Sequence, residues 1–171
     1  MSNKLFDLSS TVGRSVRINR GGPESIVGKM LAVKPDHLVL QNEEGIVYIK
    51  TEHIKSISLD SKDYADILPP PDDNSLPQFI DQENFVSVLS QMEDRWVQIN
   101  RRGPDKVEGI LTSSDNEMCV LASGNEIVHV MNFHIRNISY AVPKQDDGKQ
   151  KEQRGEEQQK DKQGDQGEAK K

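Results

Sequence analysis

A single cysteine, Cys119, stands in the 171 residues, which excludes an internal disulfide and any cysteine-based zinc site. Aromatic side chains make up only 5% of the chain, a poor supply for stacking on bases. Excess positive charge is missing too: the formal net charge is −6, which argues against a strongly basic nucleic-acid or membrane binder. No apolar run approaches the roughly 18 residues of a transmembrane helix. The opening MSNKLFDLSS lacks a basic flank followed by an apolar stretch, so no secretory leader is expected. Serine elbows, paired carboxylates and nucleotide fingerprints are also lacking. The four histidines and the acidic residues show no ligand spacing. The expectation is a soluble protein made in the cytoplasm, without enzymatic activity, cofactor or metal.

What charge there is lies unevenly. Residues 1–59 sum to +2, residues 60–84 to −6, residues 85–142 to −2 and residues 143–171 to zero. The acidic segment carries Pro69, Pro70, Pro71 and Pro77. Prolines among repelling carboxylates read as an extended, semi-rigid linker. Ile67, Leu68, Leu76, Phe79 and Ile80 are not linker composition, and some of them are expected to lie down on a neighbouring domain. The last 29 residues contain one apolar side chain, Ala169. Such a segment cannot bury enough surface to offset its ordering entropy, so a disordered polyampholyte tail is expected.

The sequence repeats itself. SVRINRGGPESIVGKML at 15–31 returns as WVQINRRGPDKVEGILT at 96–112. LVLQNEEGIVYIKTEHIKSIS at 38–58 returns as CVLASGNEIVHVMNFHIRNIS at 119–139. One offset of 81, without a gap, aligns both pairs, and about a third of the positions from 8 to 60 are identical. Each copy reads alike. A short lead with spaced apolar residues comes first, helical in the second copy, with Asp81 or Asn84 as its cap. Five short strands with turn signals follow. Gly28 and Gly109 sit early in the second strand, where a sheet bends or admits another backbone. The fold class expected is mainly β: two tandem five-stranded Sm-like or SH3-like barrels, each preceded by a short helix. The boundaries are 1–60 for the first barrel, 61–83 for the linker, 84–142 for the second barrel and 143–171 for the tail.

The element repeated most distinctively is Asn-Arg-(Gly/Arg)-Gly-Pro-acid. Its residues are Asn19, Arg20, Gly22, Pro23 and Glu24 in one copy, and Asn100, Arg101, Arg102, Gly103 and Pro104 in the other. One reading is a turn: proline cannot donate and glycine tolerates positive φ. The other is a partner-binding loop in which arginines offer forked donors to carboxylate or phosphate. A phosphate cradle lacks the necessary spacing. His53 and His134 occupy equivalent positions, and the simpler reading is an imidazole donating to a backbone carbonyl at the turn into strand five. Cys119 falls in an apolar run and is expected to be buried and inert.

These residues resemble a family. RINRGGPESIVGKMLAVKPDHLVLQNEEGIVYIKTEHIKSISLD is similar to the repeated N-terminal part of spore coat protein B of endospore-forming bacilli. The resemblance implies a structural protein of the outer spore coat. It would be made in the mother cell, deposited on the forespore and held by other coat proteins, without a membrane. The family's long C-terminal region, rich in serine, lysine and arginine, is phosphorylated by a coat-associated kinase. The tail here has no Ser, Thr or Tyr, so that feature does not carry over. Five-stranded units can also leave edge backbone groups open, which makes self-association a second expectation. The alternative is an Sm-like RNA-binding module, motivated by the barrel pattern and the repeated arginine, with the net charge and scarce aromatics against it.

Overall fold

The computed structural model describes residues 8–59 and 77–140. In the first copy the strands are β1 (Ser15–Ile18), β2 (Ile26–Val33), β3 (His37–Asn42), β4 (Gly45–Lys50) and β5 (Ile57–Leu59). In the second they are β6 (Trp96–Ile99), β7 (Val107–Ser114), β8 (Met118–Ser123), β9 (Glu126–Met131) and β10 (Asn137–Tyr140). The leads differ. Residues Leu8–Thr11 make one 3-10 turn, whereas α1 (Phe85–Gln91) is an α-helix capped by the Asn84 side chain, which accepts from the Ser87 amide at 2.9 Å.

All ten strands join one antiparallel sheet in the order β5-β1-β2-β3-β4-β10-β6-β7-β8-β9. This corrects the expectation of two tandem barrels. Neither five-strand set closes on itself, because the outer side of β4 is taken by β10 of the other copy. The pairing inside each copy is the same: β5 lies beside β1, and β10 beside β6. The register shift in β2, between Met30 and Ala32, recurs in β7 between Leu111 and Ser113. Such a bulge adds bend and twist to a strand.

Gly28 and Gly109 are where two backbones meet. A Cβ on Gly28 would lie 2.6 Å from the Gln41 carbonyl oxygen, and one on Gly109 2.2 Å from that of Ala122. No side chain fits there.

Burial follows the shared sheet. Val16, Ile18, Met30, Leu38, Leu40, Val47 and Ile49 form a core belonging to the first copy. The larger core is mixed: Leu31, Val39, Ile46 and Tyr48 of the first copy pack with α1 and with Val97, Ile99, Leu111, Leu121 and Ile138 of the second. Strands β3 and β4 are therefore covered on both faces, which accounts for their near-continuous apolar runs LVL and IVYI.

The end of the linker is tied to this arrangement. Phe79 and Ile80 pack against the mixed core, as expected of some apolar linker residues. The Tyr48 hydroxyl donates to the Ile80 carbonyl at 3.1 Å and accepts from the Ile80 amide at 2.8 Å. Lys34 pairs with Asp81 at 2.6 Å and Glu83 at 3.0 Å, and these carboxylates, Asp81 first, push its pKa up. Most of the linker and the tail at 143–171 lie outside the described residues.

Candidate functional site

The repeated loop joins β1 to β2 in the first copy and β6 to β7 in the second. Its asparagines have the same job in both. Asn19 and Asn100 adopt left-handed backbone, with φ of 56° and 50°. The Asn19 side-chain oxygen accepts from the Lys55 amide at 2.7 Å, and that of Asn100 from the Arg136 amide at 2.8 Å. Asn100 also donates to the His134 carbonyl at 3.0 Å. These side chains brace the turn before the fifth strand, a role assigned from sequence to the histidines.

The histidine expectation holds for His53 in its backbone-carbonyl partner and needs correction in where that partner lies. His53 Nε2 lies 3.1 Å from the Phe133 carbonyl oxygen, a backbone group of the other copy. It bridges the β4–β10 junction instead of its own turn. The His134 ring lies against Phe133 with centroids 3.9 Å apart. Among the described residues no three His, Cys, Asp or Glu converge as a metal site.

The arginines diverge. Arg101 has a side chain only 6% exposed, paired with Glu44 and within 3.5 Å of the Asn42 side-chain oxygen. Both partners belong to the first copy, Asn42 at the end of β3 and Glu44 in the β3–β4 turn. Burial, then the neighbouring Arg102 charge, draws the Arg101 pKa down. Arg101 thus joins the copies internally. Arg20 contributes its amide, which donates to the Ser56 hydroxyl at 2.9 Å, and its residue is exposed. Arg102, Gly103 and Pro104 are exposed as well.

Glu24 sits between two cations. It pairs with Lys55 at 2.7 Å and with Arg136, across the junction, at 3.3 Å. Arg136 also holds Asp105, the Glu24 equivalent of the second copy, at 2.8 Å. Lys55, and then the Arg136 charge, lowers the Glu24 pKa against the opposing effect of burial.

Part of the predicted set does converge. Gly22, Pro23 and Glu24 line a cleft of about 590 Å³ together with Arg101 and Arg102. Arg17 and the carboxylates Glu43 and Glu44 complete its charged lining. Asn19, Arg20, Asn100, Gly103 and Pro104 stand outside it. Cations and carboxylates are balanced there, a lining suited to a polar protein surface and not to an anion alone. Cys119 is fully buried, and burial pushes its thiol up to about 12, as befits an inert thiol. No helix among the described residues is long and apolar enough to cross a membrane.

Fold and site together define a duplicated antiparallel β-sheet protein whose copies are locked by strand pairing and by ion pairs from the repeated loops. Residues 5–58 match the family described as "Domain of unknown function (DUF2642)". The chain is 32% identical over 129 residues to spore coat protein B of Bacillus subtilis (strain 168), a match over 75% of this chain and 33% of that relative. A stretch of 129 residues in a chain of 171 necessarily takes in parts of both copies. The chain is thus related to the spore coat protein B family, as its RINRGGPE and HIKSI segments suggest, and it spans about a third of that relative's length.

Proposed function

We propose that this protein is a structural, non-enzymatic component of the endospore coat. It is made in the mother cell and deposited in the outer coat, where its sheet edges and repeated loops bind other coat proteins. The observation carrying this reading is the match to spore coat protein B, which takes in parts of both copies. Support comes from the two outermost strands, β5 and β9, whose outer sides pair with no strand among the described residues. The exposed Arg20, Arg102, Gly103 and Pro104 add a polar surface, and the cleft offers Gly22, Pro23 and Glu24 beside Arg102. We read each five-strand circuit as a bent, Sm-like or SH3-like unit opened at one seam by its neighbour. Against the RNA-binding alternative stands Arg101, whose guanidinium is already paired with Glu44.

The test is a fluorescent tag on the protein in sporulating cells, combined with crosslinking of its neighbours and coat composition in a deletion strain. Signal around the forespore with coat proteins in the crosslinked set is expected. Diffuse cytoplasmic signal and an unaltered coat would refute the reading.

A further inference from the structure

Equivalent positions in the two copies are buried very differently. Ile46 in β4 is fully buried, whereas its counterpart in β9, Ile127, is 64% exposed. Ile138 in β10 is fully buried, whereas its counterpart in β5, Ile57, is only partly covered. The cause is the β4–β10 pairing, which covers one edge of each copy and leaves the other edge of each without a strand partner among the described residues. The two open edges, β9 and β5, are the counterparts of the two that pair.

We infer that β9 of one chain pairs with β5 of a second copy of this chain, repeating the β4–β10 junction between molecules. This deepens the coat-assembly reading by naming one partner and its register. Shifting the internal pairs Val47–Ser139 and Ile46–Tyr140 by 81 places Val128 opposite Ser58 and Ile127 opposite Leu59.

The backbone is ready for it. The Asn132 amide donates to the Glu117 carbonyl at 2.8 Å, so in β9 residues 128 and 130 turn their amides to β8. Residues 127, 129 and 131 then turn theirs outward. In β5, the Asn19 amide donates to the Ser56 carbonyl at 2.8 Å, which points Ser58 toward β1 and leaves Ile57 and Leu59 facing out. The outward groups therefore match in the inferred register.

The side chains match as well. Across the internal junction Arg136 meets Glu24, and the corresponding intermolecular pair is Lys55 with Asp105, again opposite in sign. The Lys55 side chain is 74% exposed against 26% for Arg136. His134 occupies on the open edge the place from which His53 reaches across. Where the internal junction uses Lys50 and Glu52, β9 and the turn after it carry Met131 and Phe133, 43% and 64% exposed. An edge with exposed Ile127, Met131 and Phe133 gains from being covered. The contact is head to tail, so it propagates into a ring or an open filament.

The test uses the full chain. Light scattering after gel filtration should give masses at multiples of 19.2 kDa that rise with concentration. His129→Pro removes an outward amide without touching the β8 ladder, and Ile127→Lys charges the exposed edge. Each should return the protein to 19.2 kDa with its circular dichroism unchanged. Oxidised Ser58→Cys/Val128→Cys should form an intermolecular ladder on a denaturing gel, and the off-register Ser58→Cys/Val130→Cys should not. A mass of 19.2 kDa up to several hundred micromolar, or equal crosslinking by both pairs, overturns the inference. A monomer that still decorates the coat sinks this inference and spares the coat reading. A self-associating chain absent from the coat does the reverse.

Discussion

Arg136, in the second copy, reaches Glu24 in the first at 3.3 Å, and Lys55 holds the same carboxylate at 2.7 Å. One acidic side chain therefore ties the turn before β5 to the turn before β10. Its pKa is lowered from an ordinary 4.5, chiefly by Lys55. A depressed carboxylate contributes stability that is present above its unfolded value and lost as pH falls through the folded one. Thermal unfolding of wild type and Glu24→Gln from pH 7 to pH 3 should show wild type ahead by ~0.5–1 kcal/mol at neutral pH. The difference should shrink below about pH 4.5 and vanish near the acid end. A gap that widened in acid would contradict the assignment.

Arg101 is a different kind of joint, because its guanidinium is nearly buried while its partner Glu44 is 58% exposed. Arg101→Ala strands no buried carboxylate, so the loss should be moderate, ~1–2 kcal/mol. Arg20→Ala, its equivalent in the first copy, sits at an exposed residue and should cost under ~0.5 kcal/mol. Urea unfolding of the two variants compares them directly. Equal losses would mean that Arg101 does not join the copies.

Gly109→Ala should be worse than Gly28→Ala. The added methyl meets a backbone oxygen at 2.2 Å in the first case and 2.6 Å in the second, and neither oxygen can swing away as a side chain would. Overpacking of this kind costs ~1–3 kcal/mol. For a chain of this length each kcal/mol lowers the melting temperature by roughly 2–4 °C. Calorimetry showing no change for Gly109→Ala would mean that β7 and β8 run further apart than described.

The duplication, the strand order within each copy and the two close-approach glycines are all legible in the residues. Apolar alternation and turn residues are local signals, and an offset of 81 reads them twice. The loop asparagines are visible as a repeated pair, but not their task, since the amides they accept from lie 36 residues further along. The apolar runs LVL in β3 and IVYI in β4 hint that these two strands are covered on both faces, as their counterparts β8 and β9 are not.

Tertiary structure alone decided that the copies share one sheet. Strand pairing is made by backbone groups that every residue carries, so nothing in the side-chain pattern says whether β4 bonds to its own fifth strand or to that of its neighbour. The same applies to the arginines: Arg20 and Arg101 both follow Ile-Asn and stand two residues before Gly-Pro, and only the presence of Glu44 across the junction turns one of them inward.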